Sequence, residues 1–227
     1  MAFNDDSFIR EVNEELRSDR MQYVWRRFGR LIIAAAVLVV LGTAGYVGHR
    51  YWATHEAGDN GDKFIAALAL ADQNKTDDAL AALAVIQKDG KGAYPLLANM
   101  RAASLQAQKG DTAGAVAAFT AISKQSGVPS VISDAAKLRA AFLLVETGSY
   151  QQVSALAEEL AVPANAFRHS GREVLGLAAY KAGDYAKARQ WFQAIADDQQ
   201  SPRNVANRAQ MMLDNITASG KAPQVQG

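Results

Sequence analysis

Few residues in this chain are of types that do acid–base, metal or nucleophilic chemistry. There are three histidines, His49, His55 and His169, and no cysteine. Without cysteine there are no disulfides, thiolate metal sites or cysteine nucleophiles. His49 and His55, with Glu56 and Asp59 beside them, are the one local grouping that suggests a metal site. A spacing of six does not put both imidazoles on one helix face, so they read as an interfacial pair rather than as ligands. His169 stands next to Arg168 with no acid–base partner near it in sequence. No Ser/His/Asp grouping, Walker loop or glycine-rich phosphate cradle occurs. Gly110-Asp111 and Gly183-Asp184 are turn formers, and their acids have no local carboxylate with which to pair. The expectation is a protein with no catalytic residues, no metal and no cofactor, whose work is binding.

The whole composition agrees. The 227 residues are 49% hydrophobic and 21% charged, with 24 Lys and Arg against 23 Asp and Glu, a net charge of +1. Such a chain folds, and it has no global field to hold a phosphate backbone, so nucleic acid is not an expected partner. Only five prolines interrupt it, and its Ala, Leu, Gln and Lys favour helices.

Residues 31–48 carry no charge over eighteen positions. At about 1.5 Å per residue they cover roughly 27 Å of a hydrocarbon core about 30 Å thick, leaving the flanks to complete the crossing. Trp25, Phe28, Tyr46, Tyr51 and Trp52 suit the two interfaces, and Arg30 and Arg50 suit snorkelling outward. Thirty residues with six acids precede the span, which is unlike a cleaved signal peptide. The twenty residues before it hold Arg17, Arg20, Arg26, Arg27 and Arg30, and the twenty after it hold Arg50 and Lys63. That asymmetry predicts a single-pass anchor with the N-terminus in the cytoplasm. The bilayer is then a partner through 31–48, and in a Gram-negative cell residues 49–227 are periplasmic. In the leader, Phe8, Val12, Leu16 and Tyr23 recur near helical spacing and fit either a juxtamembrane amphipathic helix or a solvated charged leader.

Beyond the anchor a turn signal recurs: Asn74-Lys75-Thr76, Gly110-Asp111-Thr112, Gly148-Ser149-Tyr150 and Gly183-Asp184-Tyr185, at spacings of 36, 38 and 35. Five residues after each turn start stand Ala79, Ala115, Val153 and Ala188. Nine after stand Leu83, Phe119, Ala157 and Phe192, and twelve after stand Ile86, Ile122, Leu160 and Ile195. A small residue, a larger one a turn later and an aliphatic beyond it make one helix face to which a neighbour packs closely. Ala- and Leu-rich helical stretches precede each turn, so the unit is helix, tight turn, helix. Ser201 is placed to cap a last helix starting at Pro202, with Val205, Ala209, Met212 and Ile216 on its apolar face.

The units resemble tetratricopeptide repeats over roughly 60–200. The fourth carries Leu175-Gly176, Tyr180, Gly183-Asp184-Tyr185, Ala188 and Phe192, with Pro202 beyond, and Gly110 and Gly148 mark the second and third turns. The units depart from the pattern in that all four first helices lack the repeat tryptophan, the first unit has Asn74 at the glycine position and the third has Ala157 at the aromatic one. The resemblance implies an all-α fold: one transmembrane helix, then a solenoid of about four helical hairpins with a C-terminal capping helix. The divisions expected are 1–30 leader, 31–48 anchor, 49–60 linker, 61–217 repeats and 218–227 tail. It also implies a concave face lined by the first helix of each unit, namely Phe64 and Leu68, Leu97 and Met100 with Ser104, Leu138, Phe142 and Val145, and Leu177 and Tyr180 with Glu173. That lining is mostly apolar, without a Lys/Asn set to clamp a C-terminal carboxylate.

The order of parts, with Gly48-His49-Arg50-Tyr51-Trp52 at the membrane exit, is similar to the YfgM-type family of inner-membrane proteins. That likeness implies an ancillary subunit of the SecYEG translocon that also meets periplasmic chaperones and exported clients. An assembly factor for cell-envelope or cytochrome complexes would use the same fold.

Overall fold

The computed structural model describes the backbone of residues 5–220 and their side chains apart from 5–24 and 52–57. The chain divides into two units between Gly58 and Asp59.

The first unit is built on α1 (Asp5–Asp72), which also extends through 49–60, the stretch expected as a linker. Within α1, Trp25–Tyr51 is long and apolar enough to cross a membrane, and its most apolar eighteen-residue stretch is unburied. At about 1.5 Å per residue those 27 residues reach roughly 40 Å. The helix therefore exceeds the hydrocarbon core without help from other segments. Its hydroxyl at Thr43 donates to the carbonyl of Val39 at 2.7 Å, so this polar group is satisfied within the helix, as an apolar solvent requires. The leader side chains Phe8, Val12, Leu16 and Tyr23 lie outside the described residues.

In the second unit the last turns of α1 pair with α2 (Thr76–Asp89), and α3 (Tyr94–Gln108) pairs with α4 (Thr112–Lys124). Next come α5 (Ser130–Thr147) with α6 (Tyr150–Ala157), extended by a 3-10 turn (Glu158–Leu160). Then α7 (Arg168–Lys181) pairs with α8 (Tyr185–Ala196), and α9 (Arg203–Ala218) follows. From α2 onward each helix packs on the next in chain order, and α7 also touches α5 and α9. The unit is thus four helical hairpins and a closing helix, with no strand among the described residues.

The second-helix face read from the sequence is the core. All twelve residues at the three repeating positions are buried. Opposite them, seven residues before each turn, stand Ala67, Ala103, Ala141 and Gly176, also buried. In the fourth unit even a methyl group is too much: a Cβ on Gly176 would lie 2.8 Å from the Phe192 ring. Small residues on the first helix thus make room for large ones on the second.

Three turns share one geometry. Asn74, Gly110 and Gly183 have φ of 61°, 90° and 79°. In each, the next N–H closes the helix end on the carbonyl five residues back: Lys75 to Leu70, Asp111 to Gln106 and Asp184 to Ala179. Asn is the residue other than glycine that best tolerates this left-handed position, so Asn74 keeps the pattern. Asp111 and Asp184 then cap α4 and α8, accepting from the N–H of Gly114 and Lys187. The third turn differs from the expected repetition. Gly148 has φ −102° and its N–H bonds Leu144 four residues back, while Ser149 and Gln152 form a capping box for α6. Glycine is used there for room, because a Cβ would come within 3.0 Å of the Leu144 carbonyl.

The last helix also starts differently from the expectation. It begins at Arg203, Pro202 is its cap residue, and no side chain caps it. The Ser201 hydroxyl donates instead to the carbonyl of Ile195 at 2.7 Å, closing α8 rather than opening α9. Val205, Ala209 and Ile216 are buried as expected, and Leu213 takes the place given to Met212, which packs partly buried beside them.

Candidate functional site

The repeat register places the first-helix residues in rows. Ten residues before each turn stand Phe64, Met100, Leu138 and Glu173; six before stand Leu68, Ser104, Phe142 and Leu177. Rows spaced three and four residues apart share one side of a helix. None of Phe64, Leu68, Leu97, Met100, Leu138, Phe142, Val145, Leu177 and Tyr180 is fully buried, in contrast to the second-helix rows.

The middle of the set stays open. Leu97 and Phe142 are 41% and 37% exposed. Phe142 and Ser104 border a cavity of about 280 Å³ between α3 and α5, with Phe119 of α4 also among its walls. Met100 leans on the cluster around Phe119, Ala136 and Ala140. Leu138 and Val145 lean on the cluster around Ala141, Val174 and Leu175. Phe64 tilts against Tyr94, ring centroids 6.2 Å apart.

The fourth unit is occupied by the chain itself. Leu177 and Tyr180 pack on the cluster that holds Ala209, Leu213 and Ile216 of α9. The Tyr180 hydroxyl donates to Asn215 Oδ1 at 2.8 Å. Glu173, 6% exposed, accepts a two-pronged bond from Arg208, Nε to Oε1 at 2.6 Å and Nη2 to Oε2 at 2.8 Å. That bond raises the Arg208 pKa further above its ordinary value. The first-helix face is therefore closed by α9 at unit four and open across units two and three.

His169 is not isolated. Its Nε2 lies 2.9 Å from Asp198 Oδ2, which also accepts from Arg168 Nε and Arg172 Nη1, each at 3.2 Å. Arg172 donates further to the carbonyls of Ala161 and Ala194. The Asp198 carboxyl is held well below the ordinary carboxylate range, first by the N–H of Gln200 and then by His169 and Arg168. This depressed pKa contributes stability that is present above the ordinary carboxylate value near 4 and is lost as pH falls through the folded-state value. The cluster binds the start of α7 to the connection between α8 and α9. Sequence reasoning missed it because Asp198 lies 29 residues from His169.

His49 is exposed, and the side chains of His55 and Glu56 lie outside the described residues. No group of three or more His, Cys, Asp or Glu able to hold a metal occurs among the described residues.

A family model, the tetratricopeptide repeat-like domain, matches residues 22–218. The matched region begins three residues before Trp25, so it takes in the apolar helix together with the four hairpins and α9. No curated protein and no solved structure matches the chain.

Proposed function

The chain belongs to the tetratricopeptide repeat-like domain family, and from that premise we propose that it is a non-enzymatic, membrane-anchored scaffold that receives polypeptide on its first-helix face. Domains of this kind serve as protein-interaction scaffolds. The observation that carries the reading is the contrast between two sets of helix faces. The second-helix rows are sealed, while the apolar Leu97 and Phe142 and the α3/α5 cavity remain open. Apolar surface left open next to a packed core marks an interaction site. The family match across both anchor and repeats supports a retained single-pass anchor. The arginines ahead of the span support a cytoplasmic N-terminus and a periplasmic repeat domain at the inner membrane. The role we assign is ancillary to the SecYEG translocon, handling emerging or exported chains alongside periplasmic chaperones. Affinity capture from mildly crosslinked, detergent-solubilised membranes should recover translocon subunits with the full chain. Recovery of a cytochrome or envelope assembly complex in their place would transfer the role to an assembly factor.

A further inference from the structure

Two arginines stand at one repeat position of the first helices beside the open face, Arg139 exposed and Arg101 half-buried. Arg101 of α3 and Arg139 of α5 each stand nine residues before their turn, at Gly110 and Gly148, where the end units have Ile65 and Val174. Arg139 lines the same cavity as Phe142, Ser104 and Gln108. Arg101 lies one turn before Ser104 on the same side of α3. Among the described residues neither guanidinium has a hydrogen-bond or ion-pair partner, and the Arg101 Nε is buried with its donor unused. The other charges nearby are already matched or distant. Lys137 of α5 is paired with Asp134 and Glu159, α3 carries no acid, and Glu146 is two turns beyond Arg139 without an ion pair to it. A buried donor left unmade is costly, and a guanidinium presents a fork that fits a carboxylate.

We propose that the open face takes an extended segment in which acidic side chains alternate with apolar ones. Its carboxylates pair with Arg101 and Arg139, and an apolar side chain enters the cavity beside Phe142. This rests on the scaffold reading and adds the charge of the partner to it. Internal side-chain carboxylates are the occupant, since the two cations belong to successive units along the face rather than to one end.

The test uses the full chain in non-ionic detergent and a fluorescent, N-acetylated, C-amidated peptide in which glutamate alternates with leucine. A second peptide has glutamine at every glutamate. The acidic peptide should bind at least about tenfold more tightly than its glutamine counterpart, and more weakly as salt rises. Arg139→Gln and Arg101→Gln should each lose most of that preference, and Arg139→Lys should restore part of it, with circular dichroism unchanged. Equal binding of both peptides, reduced for both by Phe142→Ser, overturns the acidic partner while leaving the apolar face in place. Acidic-peptide binding that ignores both arginine variants overturns it as well. Failure of both peptides to bind overturns this proposal and the face beneath it.

Discussion

Two phenylalanines separate what stabilises this protein from what it presents. Phe119 is buried among Ala103, Ala136 and Ala140, whereas Phe142, on the next first helix, keeps one side of its ring open at the cavity both residues border. Truncating a buried ring removes its transfer energy and leaves a void, so Phe119→Ala should cost about 3 to 5 kcal/mol. For a domain of this size that lowers the melting temperature on the order of 10 °C. Phe142→Ser should cost about 1 kcal/mol or less, with helicity kept. Thermal melting followed by circular dichroism reads both, and equal losses would place Phe142 in the core. The division between these residues was legible in the sequence, because second-helix and first-helix rows fall at fixed distances from each turn. The matching row of small residues opposite, Ala67, Ala103, Ala141 and Gly176, was equally present there. Its meaning depended on the ring of Phe192 lying against Gly176, which no spacing rule states.

At the scale of elements, α9 does two things. It covers the apolar side of the last hairpin, where Ala179, Ala188, Phe192 and Ile195 would otherwise meet water, and it neutralises Glu173 through Arg208. In a solenoid each unit is held mainly by its neighbours, so the terminal unit depends most on its cap. A chain ending at Ser201 should therefore expose α7 and α8 to limited proteolysis while α3 to α6 stay protected. Uniform protection throughout would show that α9 contributes little. A closing helix was readable from Val205, Ala209 and Ile216. That it would occupy Leu177 and Tyr180 was not, since the Tyr180 to Asn215 bond joins residues 35 apart. The same distance problem hid Asp198 from His169. The serine misread as a cap shows a related limit: the Ser201 hydroxyl bonds the Ile195 carbonyl, and local sequence does not say which helix end a serine between two helices serves.

At the scale of the whole molecule, an apolar helix over Trp25–Tyr51 precedes a repeat domain with one open face. On the proposed scaffold reading, tethering raises the effective concentration of partner, so a weak grip suffices. The claim that this face, and no other, meets the partner is tested most directly by photocrosslinking in intact membranes. A photoreactive amino acid is placed at Phe142, and in a separate chain at Val85, which is 54% exposed on a second helix. The expected result is a discrete adduct from position 142 that Arg139→Gln diminishes, and none from position 85. Adducts of equal strength from both positions, or from position 85 alone, would contradict it.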